Sequence, residues 1–339
     1  MAAVSPTDIW AVGNGWHNVD EPLIEHWNGS GWDPIEEPSV PNFQYTLSAV
    51  DAVSARDVWA VGSGMGAPDP DFHYVPVIAH YDGTTWSFVP APAPPATSVY
   101  ALTDIDMISA TDGWAVGWQG RLSVGATQPL VMRWRNGRWV TVTLPDVGGD
   151  FTMLHHVYAR AGDDVWAVGY ENDSALVLHF DGTRWSRIAV PHGGAAGESN
   201  DLRAVTAVSA GEVWAVGFTC LPGGGGGECQ PLILHLAGGS WQVVPTAGDR
   251  GTYLLDVVAR ESNDVWVVGY DQPVGVQDTN YVEHWDGQRF TTVPVDARSL
   301  AVRGGLASAL AAVTRIPDTA ELWAVGWQDV DVPQVIRHG

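Results

Sequence analysis

The chain contains no lysine: all 16 of its basic residues are arginine, against 39 acidic residues and a formal net charge of -23. Without lysine, Schiff-base chemistry and lysine-assisted phosphate chemistry are excluded. Nucleic-acid partners are not expected, because proteins that bind them need basic stripes. The simplest interpretation of the acidic surface is that it keeps the protein soluble. Acidic loops that hold Ca²⁺ are the alternative, and no other cofactor is expected.

The sequence also lacks a long hydrophobic run, since no stretch approaches the ~18 to 20 apolar residues of a membrane span. Insertion into a membrane is therefore not expected. Met1 falls inside a repeat, so a signal peptide is not expected within these residues. A fragment of a longer protein would show the same feature.

Cysteine is scarce: the chain has only Cys220 and Cys229, which flank a segment that includes five consecutive glycines at 223–227. A disulfide between them would close this loop in an oxidising compartment. We therefore expect the pair to be bonded and the protein to be extracellular or at the cell surface. Two free thiols in a cytosolic protein are the alternative.

A motif recurs seven times along the chain, with an acidic residue, one spacer, a tryptophan and a Val-Gly ending. The motif tryptophans are Trp10, Trp59, Trp114, Trp166, Trp214, Trp266 and Trp323. Their intervals are 49, 55, 52, 48, 52 and 57 residues. A motif at a period near fifty is typical of a repeat architecture, in which each unit buries its apolar face against the next.

Each unit has the pattern of a four-stranded antiparallel meander. Tight turns such as Asn136-Gly137 separate apolar runs, and such dipeptides favour β-hairpins because both positions accept a positive φ. Meanders repeated radially form a β-propeller, and seven units fall within the usual range of four to eight blades. The sequence predicts an all-β, seven-bladed β-propeller of four-stranded antiparallel blades, as one domain over residues 1–339.

The repeated motif resembles that of bacterial Trp-Ala-Val-Gly repeat propellers and, more distantly, WD40 and kelch propellers. This resemblance covers nearly the whole chain and implies the fold, but it implies no particular activity. The last unit lacks a fourth-strand pattern, so we expect a three-stranded final blade with residues 334–338 at its outer edge. Exposed edges recruit partners, which makes a monomer or an edge-paired dimer the expected state.

One histidine position recurs on the third strand of the units. It is occupied by His26, His80, His179, His235, His284 and His338, with Arg133 in the third unit. Side chains that recur in every blade are expected to belong to the scaffold. The WD40 resemblance implies hydrogen bonds that join Ser54, Asp57, Trp59 and His80, whereas Ala161 and Glu261 replace the serine in two units.

Loop lengths vary mainly on one face of the predicted propeller. From the motif tryptophan to the third-strand position the span ranges from 13 to 21 residues, and the link between units on the same face ranges from 19 to 26, whereas the first and third connections are nearly constant. Variable loops on a rigid scaffold usually carry binding, so we assign ligand binding to this variable-loop face. The candidate ligand-binding residues are Trp16, His17, Asp71, His73, Tyr74, Trp118, Arg121 and Trp327.

An aromatic residue follows the motif glycine in five units, at Trp118, Tyr170, Phe218, Tyr270 and Trp327. Such rings could stack on sugars or anchor a protein partner. Packing along the same side of the strand is the alternative interpretation.

Polar residues also recur on the first strands, and they point to one side: Asp51, Asp104, Asp106, His156, Tyr158 and Asp256. They could line a hydrated channel, bind a metal, or act as acid and base. No metal-ligand spacing supports a metal site, and none is predicted. Asp104, His156 and Asp256 are the weak catalytic candidates.

The expected function is an extracellular or surface binding module for a protein or glycan, acting through the variable-loop face. One alternative is an enzyme that acts on a polysaccharide or small molecule at the channel mouth. Another is a structural repeat domain of a longer protein. The lack of a recognisable nucleophile arrangement favours binding over catalysis.

Overall fold

A computed structural model describes residues 1–15, 21–66, 74–92, 98–121, 125–147, 149–222, 228–272, 277–295, 308–328 and 334–338. These residues form 27 β-strands. None of the described residues lies in a helix long and apolar enough to cross a membrane. The chain divides into two compact units: Met1–Ala167 with His179–Ser186, and Val168–Leu178 with Arg187–Gly339.

The strands form sheets of consecutive antiparallel strands, one for each repeat. The first sheet contains β1 (Ala2–Ser5), β2 (Asp8–Gly15), β3 (Glu21–Trp27) and β4 (Trp32–Pro34). The second contains β5 (Phe43–Ser54), β6 (Asp57–Gly66), β7 (Val75–Tyr81) and β8 (Trp86–Phe88). The third contains β9 (Ser98–Ser109), β10 (Asp112–Arg121), β11 (Thr127–Arg135) and β12 (Arg138–Thr141). The fourth contains β13 (Thr152–Ala161), β14 (Asp164–Glu171), β15 (Ser174–Phe180) and β16 (Trp185–Arg187).

The remaining repeats follow the same order. The fifth sheet contains β17 (Ser199–Ser209), β18 (Glu212–Cys220), β19 (Cys229–Ala237) and β20 (Ser240–Val243). The sixth contains β21 (Thr252–Glu261), β22 (Asp264–Asp271), β23 (Thr279–Trp285) and β24 (Phe290–Thr292). The seventh repeat forms a three-stranded sheet of β25 (Ser308–Arg315), β26 (Leu322–Gln328) and β27 (Gln334–His338). The fold is therefore an all-β propeller with four-stranded antiparallel blades, as predicted.

In five sheets the motif glycine is required by a close approach between the first two strands, whereas a Cβ atom on Gly13 of the first sheet would meet nothing within 4 Å. The first strand of the second sheet carries one extra residue between Leu47 and Ala49, which is a β-bulge. A Cβ atom on Gly62 would lie 1.9 Å from the carbonyl oxygen of Thr46. The same clash would arise at Gly117, Gly217, Gly269 and Gly326. Any side chain would push the strands apart, so the motif ends in glycine.

All seven motif tryptophans are buried, as expected for repeats that bury their apolar faces against one another. Trp10 of the first sheet meets two rings of the second sheet: Tyr81 at a centroid distance of 4.9 Å and Trp86 at 5.7 Å in a T-shaped contact. The same arrangement surrounds Trp59, Trp114 and Trp214. Each of these indoles is thus covered by two rings of the next sheet, and edge-to-face contacts add to the area buried.

The register of the seventh sheet corrects the predicted place of His338. In the first, second, third, fifth and sixth sheets the motif tryptophan pairs with the recurring residue, as Trp59 does with His80. Trp323 instead pairs with Arg337, and His338 lies opposite Leu322. The prediction matched by residue type and therefore selected the neighbouring histidine. Arginine also holds this position in the third sheet, where Arg133 pairs with Trp114.

Candidate functional site

The recurring histidines belong to a hydrogen-bonded relay that holds each motif tryptophan in place. Asp57 Oδ1 accepts the Trp59 Nε1–H at 2.7 Å and contacts His80 Nε2 at 2.8 Å. A carboxylate can only accept, so His80 carries its proton on Nε2. The imidazole lies 4.2 Å from the indole. The same relay joins the aspartate, tryptophan and histidine of the first, fourth and sixth sheets.

The serine that the WD40 resemblance adds to this relay has a different contact. Ser54 Oγ accepts the backbone N–H of Arg56 at 3.3 Å and so caps the turn between β5 and β6. In the fourth sheet, where Ala161 replaces this serine, the Arg160 guanidinium bonds Asp164. Burial raises the pKa of Asp164, but the bonds from Arg160 and His179 outweigh it and hold the pKa below its usual range.

The relay is rebuilt in the third sheet and loosened in the fifth. Arg133 donates two bonds of 2.8 Å to Asp112 and lies 4.5 Å from the Trp114 ring. In the fifth sheet a glutamate replaces the aspartate, and Glu212 Oε1 is 3.7 Å from His235 Nε2. The Nε1–H groups of Trp114 and Trp214 both lack a hydrogen-bond partner among the described residues. These variations change how the indole is held.

The first-strand aspartates of the first unit accept backbone hydrogen bonds from the next sheet. Asp51 Oδ2 accepts the Met107 N–H at 2.7 Å, and Asp104 Oδ2 accepts the Val157 N–H at 2.8 Å. Asp106 Oδ2 accepts the Ala159 N–H at 2.7 Å. First strands are edge strands of their sheets, and the side chains therefore satisfy N–H groups that no strand pairs.

Asp104 and His156, two of the catalytic candidates, lie close together in the first unit. Asp104 Oδ2 is 3.6 Å from His156 Nδ1. Burial raises the pKa of Asp104 to about 7, although the bonds from Val157 and Ile105 oppose this. Burial also raises the pKa of Asp106, and Asp51 and Asp104 add to it by like-charge repulsion. A carboxyl that titrates near neutrality can transfer protons, but this one is committed to a backbone donor.

Asp256, the third catalytic candidate, belongs to the second unit and has the same kind of contact. Its Oδ2 accepts the Val313 N–H of the seventh sheet at 2.7 Å, and its Oδ1 accepts the Val257 N–H. No group of three metal-ligating side chains occurs among the residues that the structure describes.

The structure describes only some of the predicted ligand-binding residues. Trp16, His17, Asp71 and His73 lie outside the described residues, as do the side chains of Arg121 and Trp327. Tyr74 is 44% exposed, and its carbonyl oxygen accepts the Tyr100 N–H. Trp118 is half-buried and pairs with Ala101 and Pro129 within the third sheet.

The second unit brings together a set of rings and charges that the sequence reasoning only partly found. We call Tyr170, Arg203, Phe218, Tyr253 and Tyr270, with Asp201, the aromatic–arginine cluster. Tyr253 and Tyr270 stack with centroids 4.8 Å apart and planes inclined by 6°, and Phe218 meets Tyr253 edge-on at 5.1 Å. The rings of Tyr170, Phe218 and Tyr270 are half-buried, so part of each faces solvent.

Arg203 gives the cluster its positive charge. Its guanidinium lies 5.0 Å from the Phe218 ring, a cation–π distance, and donates to Asp201 at 2.7 Å. Arg203 is the extra residue of the bulge between Leu202 and Ala204. The aromatic that follows the motif glycine was found from its spacing. Arg203 was missed because a bulge residue has no periodic pattern.

Arg203 and nearby carboxylates affect the pKa values of Tyr170 and Tyr270, the two outer tyrosines of the cluster. Burial raises the pKa of Tyr270, Asp278 adds to this, and Arg203 opposes it. Burial likewise raises the pKa of Tyr170, with Asp201 and Asp173 adding to the effect. Both phenols therefore keep their protons at neutral pH and can donate hydrogen bonds.

The strand ends beside this cluster are held by a disulfide and a buried carboxylate. Cys220 and Cys229 are joined, with their Cα atoms 4.1 Å apart, at the end of the β18–β19 hairpin. Glu198 is only 3% exposed and accepts from Arg250 at 2.8 Å and from Thr219 at 3.0 Å. The Arg250 bond holds the pKa of Glu198 below its usual range. The cluster therefore sits on rigid strands, at the end from which the second connections leave.

The fold and this cluster define a propeller with a ring-and-charge surface at the variable-loop end of its second unit. No protein-family model matches the chain. No curated protein sequence matches it significantly. Solved structures do resemble it in fold.

One similar structure is a polysaccharide lyase, a PL25 ulvan lyase, with a TM-score of 0.61 and 12% identity over 100% of this chain and 92% of that one. Another is YCF48 bound to D1 peptide, with a TM-score of 0.59 and 15% identity over 99% of this chain and 90% of that one. A third is the extracellular domain of a protein assigned as a one-component system from B. thetaiotaomicron. Its TM-score is 0.52 at 11% identity, covering 97% of this chain and 39% of that one. At these identities the likeness shows the fold alone.

Proposed function

We propose that the chain is a binding module that recognises a protein or glycan through its variable-loop face. The aromatic–arginine cluster carries this proposal. Half-buried tyrosines offer large rigid contact surfaces, and rings with an adjacent arginine are the residue types enriched where binding energy concentrates. A protein partner is favoured over a glycan, because YCF48, a structural neighbour, was solved bound to D1 peptide.

The proposed location is extracellular or at the cell surface. The bonded pair Cys220–Cys229 supports it, because disulfides persist in oxidising compartments. The extracellular domain among the structural neighbours is consistent with it. We propose no cofactor, and Ca²⁺ bound by acidic loops stays an expectation.

The module is proposed to be one seven-bladed propeller of the Trp-Ala-Val-Gly repeat type over residues 1–339. The seven copies of the motif support this, with the three-stranded sheet of the seventh repeat as the last blade. Strand β27 is then an edge that can pair with a second copy, giving either a monomer or an edge-paired dimer.

A screen of immobilised proteins and glycans with the wild-type chain tests the binding function. The variant Tyr170→Leu/Tyr270→Leu removes both outer rings of the cluster, and Ile108→Ala removes an exposed apolar side chain near the end of β9 from which the first connection leaves, as a control away from the variable-loop face. Ligands of the variable-loop face should be lost by the double variant and kept by the control. A ligand that binds both variants equally would contradict the assignment to the cluster.

A second candidate is an enzyme that acts on a polysaccharide or small molecule through Asp104 and His156. The raised pKa of Asp104 beside His156 favours it, and one structural neighbour is a polysaccharide lyase. The commitment of Asp104 to the Val157 N–H weighs against it. Turnover of a polysaccharide that Asp104→Asn abolishes in a folded protein would establish the enzyme and displace the binding proposal.

A further inference from the structure

We infer that the aromatic–arginine cluster recognises a cationic side chain, an arginine or lysine presented by a segment of a partner protein. The inference rests on the proposed binding function and narrows it to one ligand chemistry. It depends on the charges around the cluster, on how Arg203 is held, and on the rings that keep partial exposure.

Carboxylates outnumber cations around the cluster. Asp173, Asp201 and Asp278 lie near its tyrosines, whereas Arg203 is the cation acting on both outer phenols. Arg203 is already paired with Asp201. Asp173 and Asp278 therefore give the surface of the cluster a net negative charge, and the whole chain carries a formal charge of -23. An anionic ligand would be repelled, while a cation would be attracted.

Arg203 shows that this geometry accommodates a guanidinium. Its charged group lies against the Phe218 ring while it bonds the Asp201 carboxylate, so it uses a ring and an acid together. A cation held in this way gains both the quadrupole of the ring and a charge-assisted hydrogen bond.

Tyr270 and Asp278 repeat the combination of ring and acid at the outer side of the cluster. One face of Tyr270 is covered by Tyr253, which is itself 7% exposed, yet Tyr270 keeps partial exposure. Asp278 is close enough to raise the pKa of the Tyr270 phenol, and its contact with Gln272 Nε2 is long, at 3.4 Å.

A cationic side chain can contact both the rings and the carboxylates of this surface, whereas a neutral sugar or an acidic segment cannot. A neutral sugar would stack on the tyrosines but leave the carboxylates without a matching charge. An acidic segment would find only Arg203, which is bonded to Asp201. A basic segment engages both rings and acids, and arginine should bind better than lysine because its planar group stacks on aromatic faces.

The test uses two short Gly/Ser peptides that differ only in carrying two arginines or two citrullines, which keep the shape and remove the charge. Affinity for the 339-residue chain is measured by calorimetry at ~50 mM salt, where exposed charges are only weakly screened. The arginine peptide should bind at least about tenfold more tightly than the citrulline peptide. Equal affinity of the two peptides would overturn the inference.

Variants separate the cluster from the general acidic field. Tyr270→Leu and Asp278→Asn should each weaken the arginine peptide by about three- to tenfold. Glu36→Gln removes one exposed carboxylate that does not belong to the cluster, and its effect should stay below about twofold, since exposed charges that do not contact the ligand are screened. If Glu36→Gln weakens binding as much as Asp278→Asn, the attraction is delocalised and the inference is wrong. Circular dichroism and melting temperature confirm that each variant is folded.

The outcomes also separate this inference from the proposed binding function. If a screened ligand depends on Tyr170 and Tyr270 but the arginine peptide does not bind, the binding module stands and the cationic ligand is wrong. If no screened ligand depends on Tyr170 and Tyr270 and the arginine peptide does not bind either, then both the proposed binding function and the cationic ligand are wrong.

Discussion

Replacing Glu212 with aspartate should stabilise the protein, because the fifth sheet has the loosest relay. Glu212 Oε1 stands 3.7 Å from His235 Nε2, whereas the equivalent distance in the second sheet is 2.8 Å. Glu212 Oε2 accepts the Ser262 hydroxyl at 2.6 Å instead, whereas Glu321 at the same motif position of the seventh sheet accepts the Trp323 Nε1–H at 3.1 Å. The buried Trp214 Nε1–H is left without a partner among the described residues.

The size of the effect follows from the bonds exchanged. Glu212→Asp should restore bonds to Trp214 Nε1 and His235 Nε2, each worth ~0.5 to 1.5 kcal/mol net, and satisfying a buried donor adds to this. It would give up the exposed bond to Ser262, worth ~0.5 to 1 kcal/mol. The free energy of unfolding should rise by about 1 to 2 kcal/mol, which corresponds to a melting temperature higher by ~2 to 4 °C.

Denaturant unfolding followed by tryptophan fluorescence measures the change, with calorimetry for the melting temperature. The reciprocal control is Asp57→Glu, which lengthens a well-formed relay in the second sheet and should destabilise the protein by a similar amount. Ser262→Ala should cost stability in the wild type but not in the Glu212→Asp variant. If Glu212→Asp is neutral or destabilising while Asp57→Glu behaves as expected, then Ser262 holds Glu212 more strongly than the relay would, and this account of the fifth sheet is wrong.

Three further predictions concern the core, pH and the cysteines. Trp59→Ala should lower the free energy of unfolding by ~3 to 5 kcal/mol, because a buried indole covered by two rings of the next sheet would leave a cavity; a loss below ~1 kcal/mol in denaturant titrations would contradict the packing. The pKa of Asp104 is raised to about 7 in the folded protein. Its contribution to the free energy of unfolding is therefore fully present below the unfolded-state pKa near ~4, where the carboxyl is protonated, and is lost as pH rises through 7. Asp104→Asn should therefore gain stability relative to the wild type at pH ~8 compared with pH ~5, by up to a few kcal/mol, and equal differences at both pH values would refute the shift. Thiol titration of the denatured, unreduced protein should find Cys220 and Cys229 fully protected, and free thiols would argue for a reducing compartment.

The sequence was sufficient for those parts of the fold that repeat. Seven copies of one motif at a regular period predicted the meanders, and the hairpin at Asn136-Gly137 has the expected positive φ values of 54° and 72°. The burial of the motif tryptophans followed from the same periodicity. The cysteine spacing suggested the bond that the structure contains.

The sequence was less informative where a side chain bonds a backbone group and where strand register decides which residues pair. The first-strand aspartates were placed on one side, but their acceptor role depends on N–H groups of the next sheet, which no side-chain pattern reveals. Arg203 reaches Phe218 from a bulge, and a bulge interrupts the alternation on which strand prediction depends. Arg337 rather than His338 pairs with Trp323, because register is set by strand pairing and not by residue type.

The contact of the Trp10, Trp59, Trp114 and Trp214 indoles with rings of the next sheet has a consequence for how such chains can be cut and rejoined. The segment that contains both sides of one such contact begins at a motif tryptophan and ends at the outer rings of the following repeat, as with Trp10 and Trp86. It is therefore out of phase with the sequence repeat. A whole repeat removed along its sequence boundaries would expose an indole on one side and leave two rings without a partner on the other. Segments that keep a motif tryptophan together with the outer rings of the next sheet would preserve these contacts. Segments suited to transplantation therefore begin in one sheet and end in the next.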